Sequence, residues 1–327
     1  MNIVYASNDL YAKHLAVSMY SLFDHNQESE EIHVHLLSVN ISSKSQKYLT
    51  DIAEQFGRTV HIYPLDNINE RFDFEFDTRG FDVSALSRLF IASILSKTVS
   101  KVIYLDCDTV VTDSLLPIWQ EDLGDCLVGA VIEPTVPLQI KQQIDLAKHD
   151  KYFNSGVLVI DLKKWRQENT EETLLRYYQS KGGNLFACDQ DTINGALKGC
   201  IKPLAPRYNF FTNYKYFRYG QLVRMVPEYK IFSKQEFADA KRYPALLHFL
   251  GDERPWKNGN YNPYREYYEK YLSLTPWKDS PKETGMEFYL FCYHILNVLT
   301  PVVPFLRSVV SRMLGMRVID SRKKMKK

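Results

Sequence analysis

Cysteine is scarce and unpaired in this sequence. Its five copies, Cys107, Cys126, Cys188, Cys200 and Cys292, are odd in number and form no CxxC pair. Neither a disulfide framework nor a zinc site is indicated, and a reducing compartment is expected. Glycine is missing where many nucleotide-binding enzymes need it. The first apolar run leads into Ser7-Asn8-Asp9-Leu10-Tyr11, and no GxxxxGK[ST] occurs. A dinucleotide oxidoreductase and a P-loop enzyme are both disfavoured; phosphates bound here would be held by a metal and not by a glycine-rich nest. The N-terminus, Met-Asn-Ile-Val-Tyr-Ala, has neither a basic leader nor a long apolar segment. It reads as an opening strand, not a signal peptide, and predicts a cytoplasmic protein. Net positive charge is missing from the body of the chain: the whole carries +2, yet eight Lys/Arg fall from Arg307 onward against one acid, Asp320. The mildly acidic body argues against a nucleic-acid partner, whose basic footprint belongs on the folded domain.

What is present is an alternation of strand and helix signals through about the first 200 residues, the pattern of an α/β sheet. Apolar runs predict strands at Asn2–Ala6, Ile32–Ser38, Thr59–Pro64, Lys101–Leu105, Leu127–Ile132 and Val157–Ile160. Leu15, Met19 and Leu22 recur at helical spacing, as do Leu86, Leu89, Phe90 and Ile94 around the polar Arg88. A further helix is predicted from near Asn169, with Glu172 three residues on, to Gly182-Gly183.

The run Lys101-Val-Ile-Tyr-Leu ends in Asp106-Cys-Asp108. In an extended segment residues i and i+2 point to the same side, so both carboxylates can converge on one hard cation, Mg²⁺ or Mn²⁺, able to clamp a diphosphate. The plainer reading is a polar strand-to-turn cap. Open α/β sheets bind ligands at the carboxyl ends of their strands, where both this pair and the loop after Ala6 fall.

Several separate motifs over residues 1–275 resemble glycosyltransferase family 8, retaining enzymes that use a UDP-sugar and Mn²⁺. They are Ile3-Val-Tyr-Ala-Ser-Asn-Asp-Leu-Tyr11, Ser87-Arg-Leu89, Tyr104-Leu-Asp-Cys-Asp-Thr-Val-Val111, Tyr152-Phe-Asn-Ser-Gly-Val-Leu-Val-Ile160, Asp189-Gln-Asp191 and His248-Phe-Leu-Gly-Asp-Glu-Arg-Pro-Trp256. The resemblance implies a GT-A-like (Rossmann-like) domain with a mixed central sheet over residues 1–275, followed by a small helical, basic appendage at 276–327. It makes Asp106, Asp108 and His248 the metal ligands, a set that suits Mn²⁺ better than Mg²⁺. Alone, His248 would read as a core histidine. The resemblance also brings Ala6, Asn8, Tyr11, Arg88, Cys107, Asn154, Gly251 and Arg254 to the donor.

Gly251 lets backbone approach the diphosphate, and Arg254, where the family usually has lysine, can neutralise a phosphate oxygen. Asn8 stands where the family usually has aspartate, yet its amide oxygen can still accept from uracil, and Tyr11 offers a ring face. Arg88 and Asn154 would read sugar hydroxyls; a structural ion pair and a turn former are their plainer roles. Asp189 and Gln190 lie near the anomeric carbon by the resemblance, as candidates for stabilising the cationic transition state, although Asp189 could simply cap a helix.

Seven aromatics among residues 208–219 are offered equally to an acceptor and to the core, while Tyr264, Tyr267, Tyr268 and Tyr271 read as a packing stripe. The Phe-rich loop Asp66–Gly80 reads as a lid or as a solvated excursion. Residues 288–306 carry no formal charge ahead of the basic end. Pro301 and Pro304 argue against a membrane span, and the region is expected to lie on an anionic membrane surface. The expected activity is transfer of galactose or glucose from a UDP-sugar to a glycan acceptor in cell-surface polysaccharide or glycoconjugate synthesis, at the inner face of the cell membrane. A metal-dependent UDP-sugar hydrolase and a non-catalytic sugar-nucleotide-binding subunit are the rivals.

Overall fold

Strands that are apolar on both faces need helices on both sides, and the valine- and isoleucine-rich runs of this chain meet that condition. A computed structural model describes residues 1–303; the basic stretch from Arg307 lies outside the described residues. Its strands are β1 (Asn2–Asn8), β2 (His33–Val39), β3 (Thr59–Pro64), β4 (Lys101–Leu105), β5 (Thr109–Val111), β6 (Val128–Ile132), β7 (Phe153–Asp161), β8 (Ile201–Pro203), β9 (Phe210–Phe211) and β10 (Leu246–His248). Seven form a mixed sheet in the order β3-β2-β1-β4-β7-β6-β8. β1 is parallel to β2 and β4, whereas β7 is antiparallel to β4 and β6. Strands β4, β6 and β7 are buried almost throughout, while the edge strand β3 keeps half-buried and exposed positions.

The helices used below are α1 (Ala12–Asp24), α2 (Ser43–Gln55), α3 (Thr170–Ser180), α4 (Cys188–Ala196), α5 (Arg265–Leu272) and α6 (Glu287–Leu299). From β1 the chain winds outward through α1, β2, α2 and β3, then returns to the other side of β1 as β4. The strand order reverses between β1 and β4, and the crevice at their carboxyl ends is the ligand position of open α/β sheets. A second sheet, β5-β10-β9, stands beside it. In it β10 runs antiparallel to β5 with His248 opposite Thr109, which sets this histidine beside Asp108.

All six expected strands exist, with β1 extended to Asn8 and β7 beginning at Phe153. The other strands, two or three residues each, are too short for a period of two to register in sequence. Arg88 sits on a tight 3₁₀ helix, Val83–Phe90. Three residues per turn place it over Ala85, whose carbonyl accepts its Nε–H at 3.0 Å. α3 begins just after Asn169, and Gly182 and Gly183 follow its end at φ of 70° and 61°. Asn169 makes no side-chain cap, being itself left-handed, and Glu172 pairs instead with Arg176.

Among residues 208–219, Phe210, Phe211, Tyr214 and Phe217 are core. Tyr264, Tyr268 and Tyr271 are buried as a stripe while Tyr267 points outward. Phe72, Phe74 and Phe76 gather around Tyr178, so the loop Asp66–Gly80 is anchored to the fold and is not a solvated excursion.

Candidate functional site

The crevice is a cavity of about 360 Å³. Sheet register builds its floor. The Asp106 amide donates to the Gly156 carbonyl at 2.7 Å, and the Phe249 amide to the Asp108 carbonyl at 3.0 Å. These bonds lock the turn after β4 between β7 and β10. Among the described residues Asp106, Asp108 and His248 form one cluster that could hold a metal, with ligand atoms all within 4.8 Å of one another.

A backbone donor fixes the histidine tautomer. The Gly156 N–H must donate to Asn154 Oδ1 (2.9 Å), which makes that atom the oxygen; Asn209 Nδ2 donates to it as well (2.9 Å). Asn209 Oδ1 therefore accepts from His248 Nδ1–H at 2.9 Å. In the neutral ring this leaves the lone pair on His248 Nε2, which is buried and without a hydrogen-bond partner among the described residues. It faces Asp108 Oδ1 at 3.1 Å and Asp106 Oδ2 at 3.8 Å. Acceptors facing acceptors in a buried space are the arrangement that a cation between them resolves, so these residues fit a divalent metal, with Asn209 orienting the ring from behind. Gly156 leaves the room: a Cβ there would lie 2.3 Å from His248 Cε1 and 2.7 Å from Asp106 Oδ2.

Arg88 ties the Asp106–Asp108–His248 cluster to Asp189. Its guanidinium bonds Asp106 Oδ1 at 2.8 Å and Ser155 O at 2.7 Å, and its Nε lies 3.1 Å from Asp189 Oδ2. It also lies over the Tyr104 ring, whose hydroxyl donates to Asp106 at 3.0 Å. The plainer role of a structural ion pair is thus present alongside a place on the cavity wall. Burial pushes the Asp189 carboxyl up to about 6 against the pull of Arg88. On the opposite wall Arg254 bonds Tyr11 Oη at 2.8 Å and lies 3.4 Å from Asp108.

Gln190 Oε1 accepts from Asn154 Nδ2 and from the Ser155 amide, both at 3.0 Å, and its Nε2 donates to Glu133 at 3.1 Å. Glu133, half-buried with its carboxyl raised by desolvation, was not legible in sequence beyond ending the Leu127–Ile132 run, nor were Ser155, Tyr104 and Asn209. The cavity floor sets the carboxylates of Asp106, Asp108, Asp189 and Glu133 against two guanidiniums, Arg88 and Arg254, and further positive charge would balance it.

Ala6 and Cys107 meet where the Cys107 thiol donates to the Ala6 carbonyl at 3.3 Å. Asn8 does not line the cavity. Its Oδ1 caps the turn at the Tyr11 amide, and its Nδ2 donates to Asp82 at 2.7 Å, so a carboxylate does stand at this end of the cavity, on Asp82. Gly251 has φ of 85°, and the loop it opens is gripped by α6: Tyr289 Oη donates to Asp252 at 2.8 Å and Asn297 Nδ2 to Glu253 at 2.7 Å.

The model of the family described as "Glycosyl transferase family 8" matches residues 2–259. General stress protein A of Bacillus subtilis (strain 168) is 26% identical over 85% of this chain and 94% of its own length. Lipopolysaccharide 1,2-glucosyltransferase of Escherichia coli (strain K12) is 27% identical over 90% of this chain and 85% of its own. The crystal structure of the galactosyltransferase LgtC, in complex with donor and acceptor sugar analogues, superposes with a TM-score of 0.71 at 27% identity, covering 84% of this chain and 96% of that one.

Proposed function

Since the chain belongs to glycosyl transferase family 8, with a GT-A fold, and is a hexosyltransferase, we propose that it moves galactose or glucose from UDP to a hydroxyl of a glycan acceptor in cell-surface polysaccharide or glycoconjugate synthesis, with retention. The observation that carries the reading is the buried, unpartnered His248 Nε2 facing Asp106 and Asp108 in the same cavity as Asp189 and Gln190.

Residues 1–275 form the catalytic unit. Tyr11, Ala6 and the Asn8–Asp82 pair take the uridine, and Gly251 and Arg254 the diphosphate. Asp106, Asp108 and His248 would hold Mn²⁺, or less favourably Mg²⁺. A metal bound there supplies Lewis-acid stabilisation of the departing diphosphate. Breakage of the sugar–phosphate bond leaves positive charge on the sugar ring, which the Asp189 carboxylate, steadied by Arg88 and the Ser155 hydroxyl (2.9 Å), offsets through its field. Glutamine is a poor nucleophile, and Gln190 Oε1 already accepts two hydrogen bonds, which favours attack by the acceptor on the face the phosphate leaves. The acceptor proton then passes to the leaving phosphate.

The region 276–327 associates with the inner face of the cell membrane. No described helix is long and apolar enough to cross one.

The test is turnover of UDP-galactose, UDP-glucose and their N-acetyl forms with Mn²⁺, with EDTA, and by Asp108→Ala, with UDP and free sugar followed separately. Metal-dependent UDP release on one donor, abolished by the substitution, is expected. Free sugar that persists whatever acceptor is supplied would identify a hydrolase, and absence of both UDP release and Mn²⁺-dependent UDP binding would overturn the reading.

A further inference from the structure

The loop assigned to the diphosphate holds a buried charge that the reaction above does not use. Glu253 is 5% exposed and stands next to Arg254. Its carboxylate is clamped from both oxygens: Oε1 accepts from the Tyr261 amide at 3.1 Å and Oε2 from Asn297 Nδ2 at 2.7 Å. Among the described residues its one ion-pair partner is His294, whose Nδ1 lies 3.3 Å from Oε1. A buried carboxylate is costly unless it is paired, and apolar packing would hold a loop at lower cost.

α6 turns its polar groups toward this loop and its hydrocarbon away. Leu290, His294 and Asn297 recur at i, i+4 and i+7 on the inward face, while the outward stripe has Phe288 at 80% and Val298 at 54% exposure. His294 Nδ1 is closed off from water and has no hydrogen-bond partner of its own among the described residues. Bare lone pairs on Nδ1 and Oε1 would repel at that separation, so the pair holds a proton between them. Two rings keep the imidazole in this orientation. Tyr261 stacks on it with centroids 4.5 Å apart and planes at 23°, and Tyr216 meets it edge-on at 6.3 Å. Tyr261 thus acts twice, with its amide on the carboxylate and its ring on the imidazole.

Arg254 is the next residue along the loop. Its guanidinium bonds Tyr11 Oη at 2.8 Å and lies 3.4 Å from Asp108 Oδ2. One peptide unit separates it from Glu253, so a shift of the clamped carboxylate is carried to the cation on the cavity wall. We infer that His294 is a positioning residue for the donor: by holding the Glu253 carboxylate from α6 it sets Arg254 at the diphosphate, an inference that rests on the transferase reading. Arg254 meets the diphosphate in the bound donor as well as during the reaction, so loosening it weakens donor binding more than it slows the chemical step.

The test is steady-state turnover by the full chain of UDP-galactose or UDP-glucose, whichever wild type uses, beside Mn²⁺-dependent UDP binding measured by calorimetry. The variants are His294→Phe, His294→Asn, Glu253→Gln and the double substitution His294→Phe/Glu253→Gln. His294→Phe keeps a ring against Tyr261 and removes the nitrogen. It should raise the donor KM at least fivefold and weaken UDP binding to match, with kcat falling less than twofold. His294→Asn, whose amide can donate from nearly the place of Nδ1, should recover most of that loss. In the Glu253→Gln background His294→Phe should add less than twofold, because its effect passes through that carboxylate. Should His294→Phe fail to fold, Tyr261→Leu carries the same test with the same rise in KM, since Tyr261 is 42% exposed and its loss frees the imidazole. An unchanged KM, a loss that His294→Asn does not recover, or full additivity with Glu253→Gln overturns the positioning role and, with wild type turning over, leaves the transferase reading standing. Wild type that neither binds UDP with Mn²⁺ nor turns over either donor overturns the transferase reading itself.

Discussion

At the ends of β1 and β4 charge is turned inward, whereas on α6 apolar surface is turned outward. Arg88 is 4% exposed and lies between two carboxylates, and His248 is 1% exposed beside a third; Phe288 projects into solvent while Asn297 is fully buried. Each placement costs stability taken alone, since buried charge loses hydration and exposed hydrocarbon gains nothing. A charged ligand offsets the first and an apolar contact the second. Departures from ordinary partitioning therefore set both regions apart, with opposite chemistry.

The inward charges give the larger effects. Arg88→Met should leave the buried Asp189 and the half-buried Asp106 without their cation and lower stability by roughly 3–5 kcal/mol in urea unfolding. A loss under about 1 kcal/mol would mean that those carboxylates are solvated and the contrast with α6 is false. Gly156→Ala sharpens it at the Asp106–Asp108–His248 cluster. The added methyl must displace His248 or Asp106, and Mn²⁺-dependent UDP binding, read by calorimetry, should weaken about 10–100-fold with stability less affected.

Acid should separate activity from stability. Asp189 holds its proton up to about pH 6, so turnover should fall about tenfold per unit as pH drops below that value. The same raised value means that the folded state binds a proton more tightly than the unfolded chain. This group's contribution to stability therefore rises as pH falls from about 6 toward the ordinary aspartate range. A pH profile of turnover set beside urea midpoints for wild type and Asp189→Asn tests both signs. Turnover flat from pH 7 to 5 would remove Asp189 from the charge-stabilising role.

The Asp106–Asp108 pair was legible because a long apolar run announced the strand that delivers it, although the two carboxylates converge in the turn between β4 and β5 and not through a strand's period of two. His248, Asn154 and Asp189 were legible only as members of motifs, since nothing local to Leu-Leu-His-Phe-Leu tells a ligand from a core histidine. Glu133 and Asn209 were not legible at all. They reach the site through the register of β6 with β7 and through the two-residue strand β9, contacts between distant segments that leave no local period. The 3₁₀ winding under Arg88 was hidden for a related reason, because apolar spacing of three and four is shared by both helix types.

The smallest effects belong to α6, and they divide by face. Asn297→Leu removes one of the donors to the buried Glu253 carboxylate, which keeps the Tyr261 amide, and it should cost about 1–3 kcal/mol and raise the KM for donor more than it lowers kcat, because the loop of Gly251 and Arg254 loses one of its holds on α6. Phe288→Ser on the opposite face should change stability by no more than about 0.5 kcal/mol, since that ring is already in water in the free protein. Were Phe288→Ser the more destabilising of the two in urea unfolding without lipid, its ring would be packed in solution. The outward stripe would then belong to the core, and only the inward charges of the cavity would stand out as functional.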